Sequence, residues 1–167
     1  MDRPANIEIR PVRPEDMAAL TQLYNYYVSH TTITFETAEI TTEEMARRMA
    51  DIAQDYPYLV CELHGQPVGY AYAHRWKPRA AYAHTAEVTI YLDHTAVGRG
   101  LGHRLLARLI AECRHTDIHV LVACITQGNE ASIALHRKMG FTTVSTFHEV
   151  GIKFGQWLDV TDMQLIL

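Results

Sequence analysis

The chain has 167 residues, 48% hydrophobic and 20% charged, enough to close one core without disulfide or metal help. Its net charge of −4 excludes wholesale binding to nucleic acid or to an anionic membrane. No apolar run approaches a membrane span, and the opening MDRPANIEIR does not read as a signal peptide.

In chain order, IEIRP is a short alternating strand closed by Pro11. Pro14, Glu15 and Asp16 open a helix over MAALTQLYNYYVSH, with acids in the turn where the helix dipole favours them. TTITFET is β-branched and reads as extended. Thr41 and Thr42, followed by Glu43 and Glu44, cap a second helix whose Met45, Met49 and Ile52 recur at helical spacing. YLVCEL, a turn at His64-Gly65 and PVGYAYAH form a hairpin. RWKPRAAYAH is a loop broken by Pro78, and TAEVTIYL is the next strand.

A glycine turn follows. Beyond it Leu101, Leu105, Leu106, Leu109, Ile110 and Cys113 make one apolar helical face, with Arg104, Arg108 and Glu112 outside it. HVLVACI is a continuous apolar run, as for a strand buried on both faces. A helix runs from about Asn129 to Met139 and stops at Gly140. FTTVSTFHEV and WLDVTDMQLIL are the last strands. The order predicts one α/β (α+β) domain over 1–167, a mixed sheet flanked by helices.

The cysteines, Cys61, Cys113 and Cys124, are odd in number and set in apolar runs, which suits reduced core thiols in a cytosol. The ten histidines form neither a helical pair nor a Cys/His cluster, so no metal site is expected.

The turn between TIYL and the third helix carries Gly98, Arg99, Gly100, Leu101, Gly102, His103 and Arg104. Successive backbone N–H groups running into a helix start make an anion site, and glycines let an anion approach the backbone. Arg99 adds a permanent charge, and His103 and Arg104 extend it. The plainer alternative is a joint between strand and helix. A Walker loop is excluded because no Lys-Ser or Lys-Thr is present, and a dinucleotide fingerprint wants a third glycine where Leu105 stands.

VGRGLG followed by GNEASIALHRKMGF resembles the acetyl-coenzyme A site of the GNAT N-acetyltransferases. YNYYV, TFET, RWKPRAAYAHTAEVTIYL and VGIKFGQWLDV narrow the resemblance to the phosphinothricin and methionine sulfoximine acetyltransferases, over nearly the whole chain. It implies a single GNAT-like domain with a mostly antiparallel sheet, and the pyrophosphate of coenzyme A in the glycine turn. It also implies that Ile90, Tyr91 and Leu92 pair with the pantetheine, that Asn129 and Ser132 touch it, and that the enzyme is a homodimer. MQLIL is one candidate for that interface, or simply a buried strand.

Acetyl transfer from a thioester to an amine needs a neutral amine, hence a base, directly or through water. The resemblance assigns that role to Glu87; by position alone it is equally a strand glutamate facing solvent. His136 takes the slot where many GNAT enzymes carry a tyrosine proposed to protonate the thiolate, and serves as acid, base or donor to the sulfur, or is locally satisfied. Backbone N–H groups near Tyr91 or Leu92 are expected to polarise the carbonyl.

For the acceptor the resemblance implies a small amino acid with a tetrahedral or phosphinate-like side chain. Lys77 and Arg79 are candidates for its carboxylate or oxo groups. Tyr27, Phe35, Tyr82, Lys153, Phe154 and Trp157 are candidates for the pocket walls, and Glu36 for the ammonium; solvated loops and ordinary core packing are the alternatives. The relatives carry E-H-S or E-S-T where this chain has Glu87-Val88-Thr89, a difference that matters if Val88 lines the pocket. Two rivals stand beside this reading: a GNAT enzyme acting on a protein N-terminus, a lysine or another amine metabolite, and a non-catalytic coenzyme A sensor.

Overall fold

The computed structural model describes residues 6–167, so the first part of MDRPANIEIR lies outside the described residues. Its elements are β1 (Ile7–Pro11), α1 (Met17–His30), α2 (Thr42–Ala53), β2 (Tyr58–Leu63), β3 (Gln66–Arg75), β4 (Thr85–Leu92), α3 (Leu101–Cys113), β5 (Val120–Thr126), α4 (Glu130–Lys138), β6 (Thr142–Lys153) and β7 (Gln156–Ile166). The strands form one sheet in the order β1-β2-β3-β4-β5-β7-β6. Only β4 and β5 run parallel; the other neighbours are antiparallel. No described helix is long and apolar enough to cross a membrane.

Local chemistry explains most boundaries. Pro14–Asp16 forms a 3-10 turn that leads into α1. Thr41 accepts from Glu44 N at 3.1 Å and caps α2. His64 and Gly65 both have positive φ, 53° and 78°, as a two-residue hairpin turn requires. Asn129 caps α4 by accepting from Ser132 N at 3.3 Å.

Strand alternation sorts the side chains onto two faces. Leu59, Cys61, Ala71, Ala86, Val88, Leu121, Ala123 and Ile125 face the leucine side of α3. Tyr58, Val60 and Tyr70 face Leu20, Leu23, Tyr24 and Val28 of α1 and Met45 and Met49 of α2. At the β1 edge buried Arg10 joins two elements, donating to both oxygens of Asp16 (2.9 and 2.7 Å) and from Nε to Glu62 at 2.8 Å.

Three expectations change, and a fourth is decided between its alternatives. Residues 31–37 form no strand; side chains hold them, with Lys153 Nζ donating to Thr34 O (2.8 Å) and Tyr24 Oη bonded to Thr34 Oγ1 (2.8 Å). Ala80–Tyr82 closes into a 3-10 turn within the expected loop. Cys61 and Cys113 are buried thiols, but Cys124 is exposed, because alternation turns it away from the α3 core. MQLIL follows the second of its two readings, a strand inside the sheet: β7 lies between β5 and β6, and Met163 is fully buried.

Candidate active site

The site arises where the sheet splits. Thr85, Ala86 and Glu87 pair with Val120, Leu121 and Val122, and beyond Glu87 the two parallel strands part. β4 continues to Leu92 paired only with β3, and β5 continues to Thr126 paired only with β7. The inner edge of each strand therefore lacks a strand partner. A cleft of about 120 Å³ opens there, lined by Glu87, Thr89, Tyr91, Cys124, Asn129 and His136 among others.

Glu87 and His136 reach this cleft from opposite faces of the sheet. Glu87 shares its face with the tyrosines of β3, as its cross-strand pairing with His74 requires. Burial pushes its carboxyl above the ordinary value, while nearby His74 and the Cys124 thiol draw it partly back. Such a carboxyl is a stronger base than an exposed one.

His136 sits on α4, 2% exposed, with its ring edge-on to Phe141 at 5.0 Å. Nδ1 lies 2.8 Å from Ser132 O, and a carbonyl only accepts, so Nδ1 carries the hydrogen. The neutral ring then has a lone pair on Nε2, which is buried and has no hydrogen-bond partner among the described residues. Burial lowers the pKa of the ring and favours this neutral form, the backbone bond to Ser132 opposing it. An acceptor at the cleft wall is therefore the resting state of His136. An acid is not.

The glycine turn leads into α3. Gly98 and Gly100 have φ of 80° and 74°, which side chains rarely adopt, and an added Cβ at either meets nothing within 4 Å. The first intrahelical bond is from Arg104 N to Gly100 O, leaving the N–H groups of Leu101, Gly102 and His103 without a helical partner. Arg99 and His103 are exposed beside them, and Leu101 is buried as the anchor of the turn. These residues fit an anion such as a pyrophosphate. Asn129 and Ser132 line the cleft, and Ser132 also fixes the ring of His136.

The remaining candidates disperse. Tyr27 donates to Leu92 O at 2.5 Å, so it braces the far end of β4, away from Glu87. Glu36 is held by both outer nitrogens of Arg48 (2.6 and 3.0 Å); burial would raise its carboxyl, but these bonds win and lower it. Arg48 thus occupies both oxygens of the Glu36 carboxylate. Phe35 lies against Gly151, where any Cβ would overlap its ring. Lys153 is spent on Thr34, while Phe154 and Trp157 are exposed at the β6–β7 turn. Lys77 lies over Trp76 at 4.1 Å and Tyr82 at 5.4 Å, and exposed Arg79 begins the turn that carries Tyr82. None of these lines the cleft. Val88 packs toward α3 and also lines the cleft, so its departure from the relatives lies in the cleft wall beside Glu87.

Three side chains near Glu87 had no signal of their own: Ile33 and Cys124 in the cleft wall, and His74 across the strand. The hairpin register would have given His74; the alternation of HVLVACI would have given Cys124. Ile33 belongs to an irregular segment and leaves no periodic trace.

Comparison with known proteins agrees with this geometry. Residues 9–161 match the family described as acetyltransferase (GNAT) domain. The chain is similar to the L-methionine sulfoximine/L-methionine sulfone acetyltransferase of Salmonella typhimurium, 41% identical over 95% of this chain and 94% of that one. A GNAT superfamily phosphinothricin acetyltransferase from Sinorhizobium meliloti, solved with acetyl-coenzyme A, superposes with a TM-score of 0.93 at 34% identity, covering 96% of this chain and 88% of that one. A structure named ribosomal-protein-alanine N-acetyltransferase from Brucella melitensis gives a TM-score of 0.94 at 40% identity, with 96% and 99% covered.

Proposed function

Because the chain belongs to the GNAT acetyltransferase family and is an acetyl-coenzyme A-dependent N-acetyltransferase, we propose that its acceptor is the amine of a small amino acid or analogue, of the phosphinothricin, methionine sulfoximine or methionine sulfone kind. One observation carries the reading: Glu87 and His136 meet at a single narrow cleft where β4 and β5 part. Such a slot suits one small amine better than an extended peptide. The names of the Salmonella and Sinorhizobium relatives point the same way. The Brucella relative favours a protein N-terminus as the second reading.

Acetyl-coenzyme A supplies the activated acetyl group as a thioester. Gly98, Arg99, Gly100, Leu101, Gly102 and His103 hold its pyrophosphate, and the free edge of Ile90–Leu92 holds the pantetheine with Asn129 and Ser132. Backbone N–H groups of that edge polarise the carbonyl. Glu87 takes the proton of the amine. His136, neutral and held by Ser132, accepts a hydrogen bond at Nε2 from the amine or the thiol. Lys77, ordered over Trp76 and Tyr82, and Arg79 meet the acidic head of the acceptor.

The reading extends to location and assembly. An enzyme using acetyl-coenzyme A with unpaired thiols works in the cytoplasm. A homodimer is supported by β6: Val144, Phe147, Val150 and Ile152 on this edge strand are 50–54% exposed, and Phe154 and Trp157 at its tip 61%. An edge so apolar is normally covered.

The test of the acceptor is turnover. Purified protein is incubated with acetyl-coenzyme A and a panel of amines, and released thiol is followed. Turnover with phosphinothricin, methionine sulfoximine or methionine sulfone is expected. Turnover with peptides alone supports the second reading, and binding of the thioester without turnover on any amine supports a sensor.

A further inference from the structure

Glu87 removes a proton in every cycle and must lose it again; its side chain, 26% exposed, faces a narrow cleft that bound substrate fills. Directly across β3 from it stands His74, whose Nε2 is 3.8 Å from Glu87 Oε2. Nδ1 of His74 lies 3.1 Å from Arg75 O, a carbonyl that only accepts, so Nδ1 carries a hydrogen and Nε2 is the nitrogen turned to the carboxylate. His74 also lines a different space: an open groove of about 460 Å³ bordered by Asp51, Asp55 and Tyr56. One imidazole thus lies 3.8 Å from the half-buried base on one side and borders an open groove on the other.

We propose that His74 is a positioning residue that relays the proton of Glu87 to solvent. This rests on the reading of Glu87 as the base. The proton passes from the acceptor nitrogen to the Glu87 carboxylate, then from Oε2 to Nε2 of His74, giving an imidazolium. The imidazolium discharges to water in the groove, which Asp55, Arg75 and an Asp51 paired with Arg47 also border. No bond between heavy atoms changes. The 3.8 Å separation closes when substrate orders the site, as catalytic hydrogen bonds commonly do.

The other titratable neighbours do not offer this route. Cys124 and its cross-strand partner Asp162 face Glu87 from β5 and β7, and Tyr72 precedes His74 on β3. Partial desolvation of a thiol whose residue is otherwise exposed, with the nearby Glu87 and Asp162 carboxylates, raises Cys124, and burial raises the Tyr72 hydroxyl, which keeps both protonated and unable to take a proton. Asp162 is an acid that adds charge of the same sign beside Glu87.

The test compares His74→Ala, His74→Gln and Glu87→Gln over a pH series, with and without added imidazole. Both His74 variants are expected to lower kcat by about a hundredfold with KM little changed, the lower end of what proton transfer supplies. Imidazole restores His74→Ala, whose vacated site opens on the groove, and leaves His74→Gln slow. Removal of His74, whose imidazolium form draws the Glu87 carboxyl down, also moves the acid limb of kcat/KM to higher pH. A near-native His74→Gln, or a slow His74→Ala indifferent to imidazole, with Glu87→Gln still slow, overturns the relay alone. A near-native Glu87→Gln overturns the base first, and the relay with it.

Discussion

Glu87→Gln is expected to lower kcat by about 10²–10⁴-fold near neutral pH, the range that a positioned base supplies. An alkyl amine is almost wholly protonated there and cannot attack a thioester until a base frees its lone pair. The glutamine keeps the shape and hydrogen-bonding reach of the carboxylate and loses only its basicity. The pH dependence carries a sign. Burial raises the Glu87 carboxyl above its ordinary value, with His74 and Cys124 opposing, so wild-type kcat/KM falls as pH drops through that raised pKa. The variant lacks this limb, and its residual rate climbs at high pH as solvent itself deprotonates the amine. Steady-state rates across pH check this, with acetyl-coenzyme A affinity measured alongside to show an intact site. Equal rates at every pH remove Glu87 from the role of base.

Ile152→Glu is expected to separate the proposed dimer. Ile152 pairs across the β6–β7 hairpin with Trp157, and the two side chains are 53% and 61% exposed in the single chain. In a two-fold assembly the same patch meets itself, so one substitution acts twice. At about 2 kcal/mol per buried anchor, the two copies raise the dissociation constant about 10³-fold. Sedimentation velocity on wild type and variant reads this directly. A wild-type monomer, or a variant that sediments as an undisturbed dimer, counts against the β6 interface. Monomer stability is little affected, because Ile152 leaves the buried core untouched.

Local chemistry made much of this fold legible. The leucine spacing after Gly100 marks α3 to its last turn, and the His64-Gly65 pair marks the β2–β3 hairpin. The glycine turn announced an anion because its meaning is local: backbone amides, a helix start and an arginine lie within a few residues. Glu87 and His136 were found through motifs, but what unites them was hidden. The parting of β4 and β5 depends on β7 inserting beyond β5, an event set by residues far along the chain.

The acceptor side shows the same division. Glu36 looked free in sequence and is bound by Arg48, a residue of the next helix that nothing in TFET reveals. Tyr27 donates to Leu92 O across the packing of α1 on β4, a partner 65 residues away that its own segment does not reveal. Cys124 sits in an apolar run, the pattern of a core thiol, yet it is exposed. Strand alternation places it opposite Asp162 and on the face of Glu87, a pairing that only the register supplies. Side chains whose partners are sequence neighbours were readable, and those whose partners come from another element were not.

The most direct test of the whole account is a crystal structure with coenzyme A bound. The account predicts the pyrophosphate on the amides of residues 98–103 and the sulfur inside the β4–β5 cleft, between Glu87 and Nε2 of His136. A sulfur lodged elsewhere, or a pyrophosphate bound away from that turn, contradicts it.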